Sequence, residues 1–122
     1  MDKPAKLILL VEDQSDIRDV FAFILAEAGY EVLQAGDGEE ALSLIKGRRP
    51  HAVITDLLMP NMDGLDLARA MKSAPDMSDI PIGMVTATPS RVLAQTPQFL
   101  RILSKPCSTD DLVDMAHFLV TQ

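Results

Sequence analysis

Four apolar runs of this chain end on residues able to do chemistry. Leu7 to Val11 leads into Glu12 and Asp13, Val53 to Thr55 into Asp56, Met84 and Val85 into Thr86, and Ile102 to Ser104 into Lys105. If the three acids share one site they repel each other. One answer is a carboxyl that keeps its proton; the other is a divalent cation. Mg2+ prefers oxygen ligands, takes one or two protein carboxylates and keeps waters that a phosphate can displace. A carboxylate can itself attack phosphorus and become an acyl phosphate, and Asp56 is the acid placed for that role. Lys105 offers a point positive charge on the opposite side, and Thr86 offers a hydroxyl to a phosphoryl oxygen. Phosphoryl transfer asks chiefly for positioning and charge neutralisation, which this set supplies.

Such a set works only if the fold brings distant strand ends to one edge. The run "LILLV" is continuously apolar, as a strand covered on both faces should be. In the following "SDIRDVFAFILAEAGY", the residues Ile17, Val20, Phe21, Ile24, Leu25 and Ala28 repeat at helical spacing. Ser15 reads as its N-cap, Asp16 and Asp19 suit its positive end, and Gly29 stops it. "EVLQA" reads as a second strand, "GEEALSLIKGR" as a short helix and "HAVITDL" as the third strand. A helix from about Gly64 to Ala74, a strand in "IPIGMVTA", a strand in "RILSKP" and a helix from Ser108 or Thr109 follow. In the last helix, Leu112, Met115, Ala116, Leu119 and Val120 form the apolar stripe. Alternating strands and helices predict right-handed crossovers and a doubly wound parallel sheet. Ligands in such sheets bind beyond the carboxyl ends of the strands, where strand order reverses. With five strands in the order 2-1-3-4-5, the first and third are neighbours and the acids meet. The segment Thr88 to Leu100, bracketed by Pro89 and Pro97, has room for only a short or irregular helix.

The pieces "VEDQ", "ITDLLMPNMDG", "MVTA" and "SKP", in this order and at these spacings, resemble the receiver domain of bacterial two-component response regulators over residues 1–122. The resemblance implies a flavodoxin-like fold and a phosphoryl group accepted on Asp56 from a histidine kinase or a histidine phosphotransfer protein. It implies Mg2+ held by Asp13, Asp56 and the Leu58 carbonyl, with Glu12 acting mainly through bound water. It also implies a cis Lys105–Pro106 bond and a loop shaped by Met59, Pro60, Asp63 and Gly64. Signalling would then proceed through a protein contact that depends on phosphorylation, with no catalysis beyond the domain's own phosphorylation and slow dephosphorylation.

Composition is consistent with that role and excludes others. The 122 residues suit one domain, and 48% apolar with 24% charged residues is an ordinary globular balance. Net charge is −7, which argues against a nucleic-acid face. No apolar run reaches the ~20 residues needed to cross a bilayer, and "MDKPAK" has no signal-peptide core. The single cysteine, Cys107, forbids an internal disulfide and agrees with the reducing cytoplasm; it reads as a small packed residue. His51 and His117 lack metal-ligand spacing, and Asp63 and Asp66 read as a turn residue and a first-turn helix acid.

Three departures from the family pattern carry expectations of their own. Ile102 stands where an aromatic is usual, three residues before the lysine, so the usual coupling of Thr86 to a turning ring is not available. The segment between Thr86 and Lys105 is short for the family, which predicts an unusual output surface around the fourth helix, fifth strand and last helix. Leu58 and Thr88, two residues beyond Asp56 and Thr86, are neither acidic nor amide-bearing, which predicts slow loss of the phosphoryl group. With Gln122 following the last helix, the chain reads as a stand-alone receiver. The alternatives are a receiver fragment of a hybrid kinase or longer regulator, an aspartyl-phosphate hydrolase and a constitutive binding module. Leu58 counts against the hydrolase, which wants a second acid at that position.

Overall fold

The computed structural model describes residues 4–87 and 98–122. Its elements are β1 (Leu7–Val11), α1 (Ser15–Glu27), β2 (Glu31–Ala35), α2 (Gly38–Gly47), β3 (Ala52–Asp56), α3 (Gly64–Ser73), β4 (Ile82–Thr86), β5 (Arg101–Ser104) and α4 (Thr109–Val120). All strand pairs are parallel, and the order is β2-β1-β3-β4-β5, the flavodoxin-like arrangement expected. Most of the segment expected to hold a short helix, residues 88–97, lies outside the described residues, and so does Thr88.

Alternate residues of the central strands feed two cores. Leu9, Val11, Val53, Ile82 and Met84 pack with Ala41 and Ile45 of α2 and Leu67, Ala68 and Met71 of α3. Ile8, Leu10, Ile54 and Val85 pack on the other side with Ala22 and Leu25 of α1 and Leu112, Met115, Ala116 and Leu119 of α4. Each fully buried aliphatic side chain contributes about 1.5–3 kcal/mol, so a dozen of them can carry the cost of gathering several acids at one edge.

Register then decides which residues meet. Val11 pairs with Thr55, Asp56 with Val85, and Thr86 with Ser104. The residues that leave β1, β3, β4 and β5 at their carboxyl ends therefore stand level, on strands about 4.8 Å apart.

Helix ends follow local chemistry, with two corrections. Asp37, Asp63 and Ser108 cap α2, α3 and α4 by accepting from the N–H groups of Glu40, Asp66 and Asp111. At α1 the cap is Gln14, without a side-chain bond, and Ser15 is already the first helical residue. Asp16 lies in the first turn and accepts from Ile17 N–H, whereas Asp19 lies beyond it. The buried face of α1 is also rotated from the expected stripe. Ala22 and Leu25 are buried, while Val20, Phe23 and Ala28 are exposed. The reason is that β2, β1 and α4 cover one side of α1, with Phe21 and Ile24 partly buried at its margin and Val20, Phe23 and Ala28 beyond it. Gly29, with φ of 101°, ends α1 in the left-handed region, as expected.

Of the glycines, Gly64 has the closest neighbour. A Cβ there would stand 2.2 Å from the Asp56 carbonyl oxygen, and its own N–H donates to the Leu57 carbonyl at 2.8 Å. The start of α3 is thus pressed against the backbone that carries Asp56. Gly64→Ala is expected to lower stability by about 1–3 kcal/mol, the usual cost of overpacking, read as a lower urea midpoint. An unchanged midpoint would show that α3 can move away freely.

Candidate functional site

Glu12 leaves β1 with its polar atoms engaged. Its N–H donates to the Ala35 carbonyl at 3.0 Å, and its carbonyl accepts from Arg18 Nη1 at 2.7 Å. Its carboxylate accepts from Lys105 Nζ at 2.7 Å through Oε1 and from Gln14 N–H at 3.2 Å through Oε2. The residue is only 1% exposed, so it is a buried acid and not half of a solvated loop pair. Asp13, one residue on, is exposed.

Asp56 ends β3. Its Oδ1 accepts from Leu57 N–H at 2.7 Å and its Oδ2 from Lys105 Nζ at 3.1 Å. The hydroxyl of Thr55 donates to the Asp56 carbonyl at 2.8 Å. Lys105 follows β5, and its backbone N–H donates to the Thr86 carbonyl at 2.8 Å, continuing the ladder by one bond. Thr86 is buried at 1% exposure. The Lys105–Pro106 bond is cis.

One oxygen from each of Glu12, Asp13 and Asp56 lies within 4.8 Å of the others. Among the described residues this is the one group of His, Cys, Asp or Glu side chains able to hold a metal ion. The donor set is all carboxylate oxygen, which fits Mg2+ and not a softer metal. The expected fourth contributor, Leu58, is 59% exposed in the loop after β3. That loop is held by Met59 and Met62 against the core, by Met62 N–H on the Pro60 carbonyl at 2.8 Å, and by Asn61 at φ of 68°.

The charges respond to this crowding. Burial, helped by the Asp56 charge, holds Glu12 above the ordinary glutamate value even though Lys105 and the Gln14 N–H pull it down. Burial pulls Lys105 down, but its bonds to Glu12 and Asp56 and their charges outweigh that, and it stays above the ordinary lysine value.

Sequence reasoning left some residues unassigned. Arg18 and Thr55 hold the backbone of the two acids, and only the structure reveals their contacts. His51 uses Nδ1 to accept from Leu7 N–H at 2.9 Å, a structural bond at the start of β1. Cys107 is half-buried, with its thiol pushed up by burial and next by Asp111. Ile102 is half-buried against the core cluster on the α2–α3 face of the sheet, paired in register with Met84.

The sequence model of the response regulator receiver domain matches residues 8–117. The chain is 38% identical over 109 residues to "Response regulator MprA" of Mycobacterium sp. (strain KMS), covering 87% of this chain and 46% of that protein. It is 40% identical over 82 residues to "Phosphate regulon transcriptional regulatory protein PhoB" of Pseudomonas aeruginosa, covering 67% of this chain and 36% of that protein. The chain thus spans less than half the length of these curated relatives. Its fold is similar to the signal receiver domain of a signal transduction histidine kinase from Syntrophus aciditrophicus, with TM-score 0.87, 32% identity, and 96% and 91% of the two chains covered. It is also similar to the chemotaxis response regulator CheY4 of Vibrio cholerae, with TM-score 0.87, 28% identity, and 95% and 99% covered. Among the described residues no helix is long and apolar enough to cross a membrane.

Two substitutions test the electrostatics. Lys105→Met leaves Glu12 and Asp56 facing each other unpaired and should cost about 3 kcal/mol in metal-free buffer, the lower end for breaking a buried pair, measured by urea unfolding. Because Glu12 is raised in the fold, the folded protein binds that proton more tightly than the unfolded chain does. The Glu12 contribution to stability should therefore rise as pH falls from neutrality toward the ordinary glutamate value. Comparing urea midpoints with Glu12→Gln across that window isolates it; parallel pH profiles would overturn the assignment.

Proposed function

The chain belongs to the response regulator receiver domain family of two-component signalling, and from that premise we propose that residues 1–122 act as one phosphoacceptor unit with Asp56 as the acceptor. The observation that carries the reading is Lys105 Nζ seated between Glu12 Oε1 at 2.7 Å and Asp56 Oδ2 at 3.1 Å, in a group of three carboxylates at one sheet edge.

Asp13 and Asp56 would hold Mg2+ with the Leu58 carbonyl, and Glu12 would act from behind through water. When bound, the ion supplies charge neutralisation for the acids and for the incoming phosphoryl group. The protein's own parts do the rest. An oxygen of Asp56 attacks phosphorus, the new O–P bond forms as the donor's N–P bond breaks, and the electron pair stays on the donor's imidazole. Leu57 N–H keeps Oδ1 oriented. Lys105 is close enough to hold a phosphoryl oxygen, and the Thr86 hydroxyl takes another. With Ile102 half-buried beside Met84, the change at Thr86 would reach β5 through aliphatic packing.

The donor is a histidine kinase or a histidine phosphotransfer protein. It must approach Asp56 from the solvent side, and the surface beside Lys105 suits it. A cavity of about 350 Å³ there is lined by Ile17, Phe21, Lys105, Pro106 and Cys107, and Val20, 56% exposed, continues the apolar face. The phosphorylated form would signal through a protein contact in the cytoplasm; the net charge of −7 does not favour nucleic acid as this segment's direct partner.

Incubation with acetyl phosphate and Mg2+ should add one phosphoryl group per chain, lost in Asp56→Asn. No label on the wild type would overturn the reading, and continuous turnover of the donor would favour a hydrolase. Val20→Glu should slow transfer from the donor protein by about tenfold, as expected when a charge enters an apolar contact, while acetyl phosphate labelling stays unchanged. Equal loss with both donors would remove the docking assignment.

A further inference from the structure

Arg18 sits in α1, on the side of the site away from Lys105, and the acceptor chemistry gives it no task. Its backbone N–H donates to the Gln14 carbonyl at 2.9 Å, while its side chain turns back so that Nη1 donates to the Glu12 carbonyl at 2.7 Å. The guanidinium lies against Gly36 at the end of β2, where a Cβ would stand 3.5 Å from Nη1. One residue thus links the first turn of α1 to the peptide that follows β1, and its guanidinium lies near the exit of β2.

The bond matters because a peptide unit is planar. The Glu12 carbonyl and the Asp13 N–H share a plane, so anchoring that oxygen fixes the direction in which Asp13 leaves the strand. Glu12 is otherwise pinned by Ala35, Gln14 and Lys105. Asp13 is exposed, and the direction in which its side chain leaves the chain is set by this backbone.

We propose that Arg18 is a positioning residue that raises the divalent-cation affinity of the acidic site by holding the Glu12 carbonyl. The inference rests on the Mg2+ reading above. It also predicts a sign. As a nearby cation Arg18 repels a metal ion, so if charge were its main effect, removing it would tighten binding. As an anchor for the ligand backbone, its removal loosens binding. The guanidinium is partly solvated and screened, whereas the carbonyl bond is direct and charge-assisted, so the anchor should win.

Calorimetric titration of Mg2+ alone into the unphosphorylated protein tests this with wild type, Arg18→Ala and Arg18→Lys at one ionic strength. Arg18→Ala should bind about tenfold more weakly, the lower end for partners that orient metal ligands. Arg18→Lys, which can still offer one donor to the carbonyl, should recover most of the loss. Acetyl phosphate labelling of Arg18→Ala should need more Mg2+ yet reach the wild-type rate at saturation. Should Arg18→Ala not fold, Arg18→Gln must show the same weakening. Unchanged or tighter Mg2+ binding, or a lower thermal midpoint with unchanged affinity, overturns the inference and leaves the phosphoacceptor reading standing. A wild type that binds no Mg2+ overturns both.

Discussion

Everything at the carboxyl edge of the sheet turns on one ammonium group. Lys105 Nζ lies between a fully buried glutamate and the half-buried Asp56, and each carboxylate is tolerable there because the other's partner is also its own. Taking two acids into a partly buried edge is costly unless they are paired and hydrogen-bonded. The lysine can be shared only because β1, β3, β4 and β5 end level, with Lys105 carried one bond past the ladder by Thr86. The sheet register is therefore part of the electrostatics.

A second constraint is steric. The loop after Asp56 must turn at once so that α3 can return against the strand that it has just left. Gly64 permits the close approach, and Asp63 caps the helix. Asn61 accepts a left-handed φ, and its amide reaches Asp37 at the start of α2 at 3.4 Å. The loop bearing Leu58 is consequently tied at both ends and to a neighbouring helix. A carbonyl offered from such a loop, as the proposed Mg2+ site would need, would cost little further ordering.

The parts that sequence made legible were those set by periodicity and by punctuation. Continuous apolar runs gave the buried strands, and Gly29 and Ser108 marked helix ends because their chemistry at those positions is specific, whereas Asp63, legible only as a turn residue, turns out to cap α3. Strand-end polar residues were visible for the same reason, since an acid after "LILLV" or "VIT" interrupts a strong pattern. What periodicity misjudged was rotation. The apolar residues of α1 cover more of its circumference than its neighbours do, so the stripe could not say that Val20 and Ala28 face out and Ala22 in. Side-chain bonds to backbone carbonyls were equally illegible. Arg18 carries no pattern that distinguishes a surface arginine from one folded back onto Glu12, and the same is true of Thr55 on Asp56.

On the phosphoacceptor reading proposed above, the charge balance of the site favours phosphoryl transfer over static binding. Three carboxylates against one lysine leave two negative charges, which is the charge of one divalent cation. On that reading, a phosphoryl group on Asp56 would replace a single charge with a larger one next to the same lysine. Lys105 already has bonds to two oxygens, so it can exchange a carboxylate for a phosphoryl oxygen without leaving its place. Glu12, by contrast, is fixed by backbone and side chain alike and cannot follow. The proposed exchange would then be felt on the side of β4 and β5, where Thr86 and Lys105 share a ladder bond and Ile102, paired with Met84, packs half-buried against the core. Because an aliphatic side chain has no hydroxyl to mark which way it points, any signal passing there is one of packing and strand position. The partner surface would then read a small displacement of β5 in place of a rotated ring.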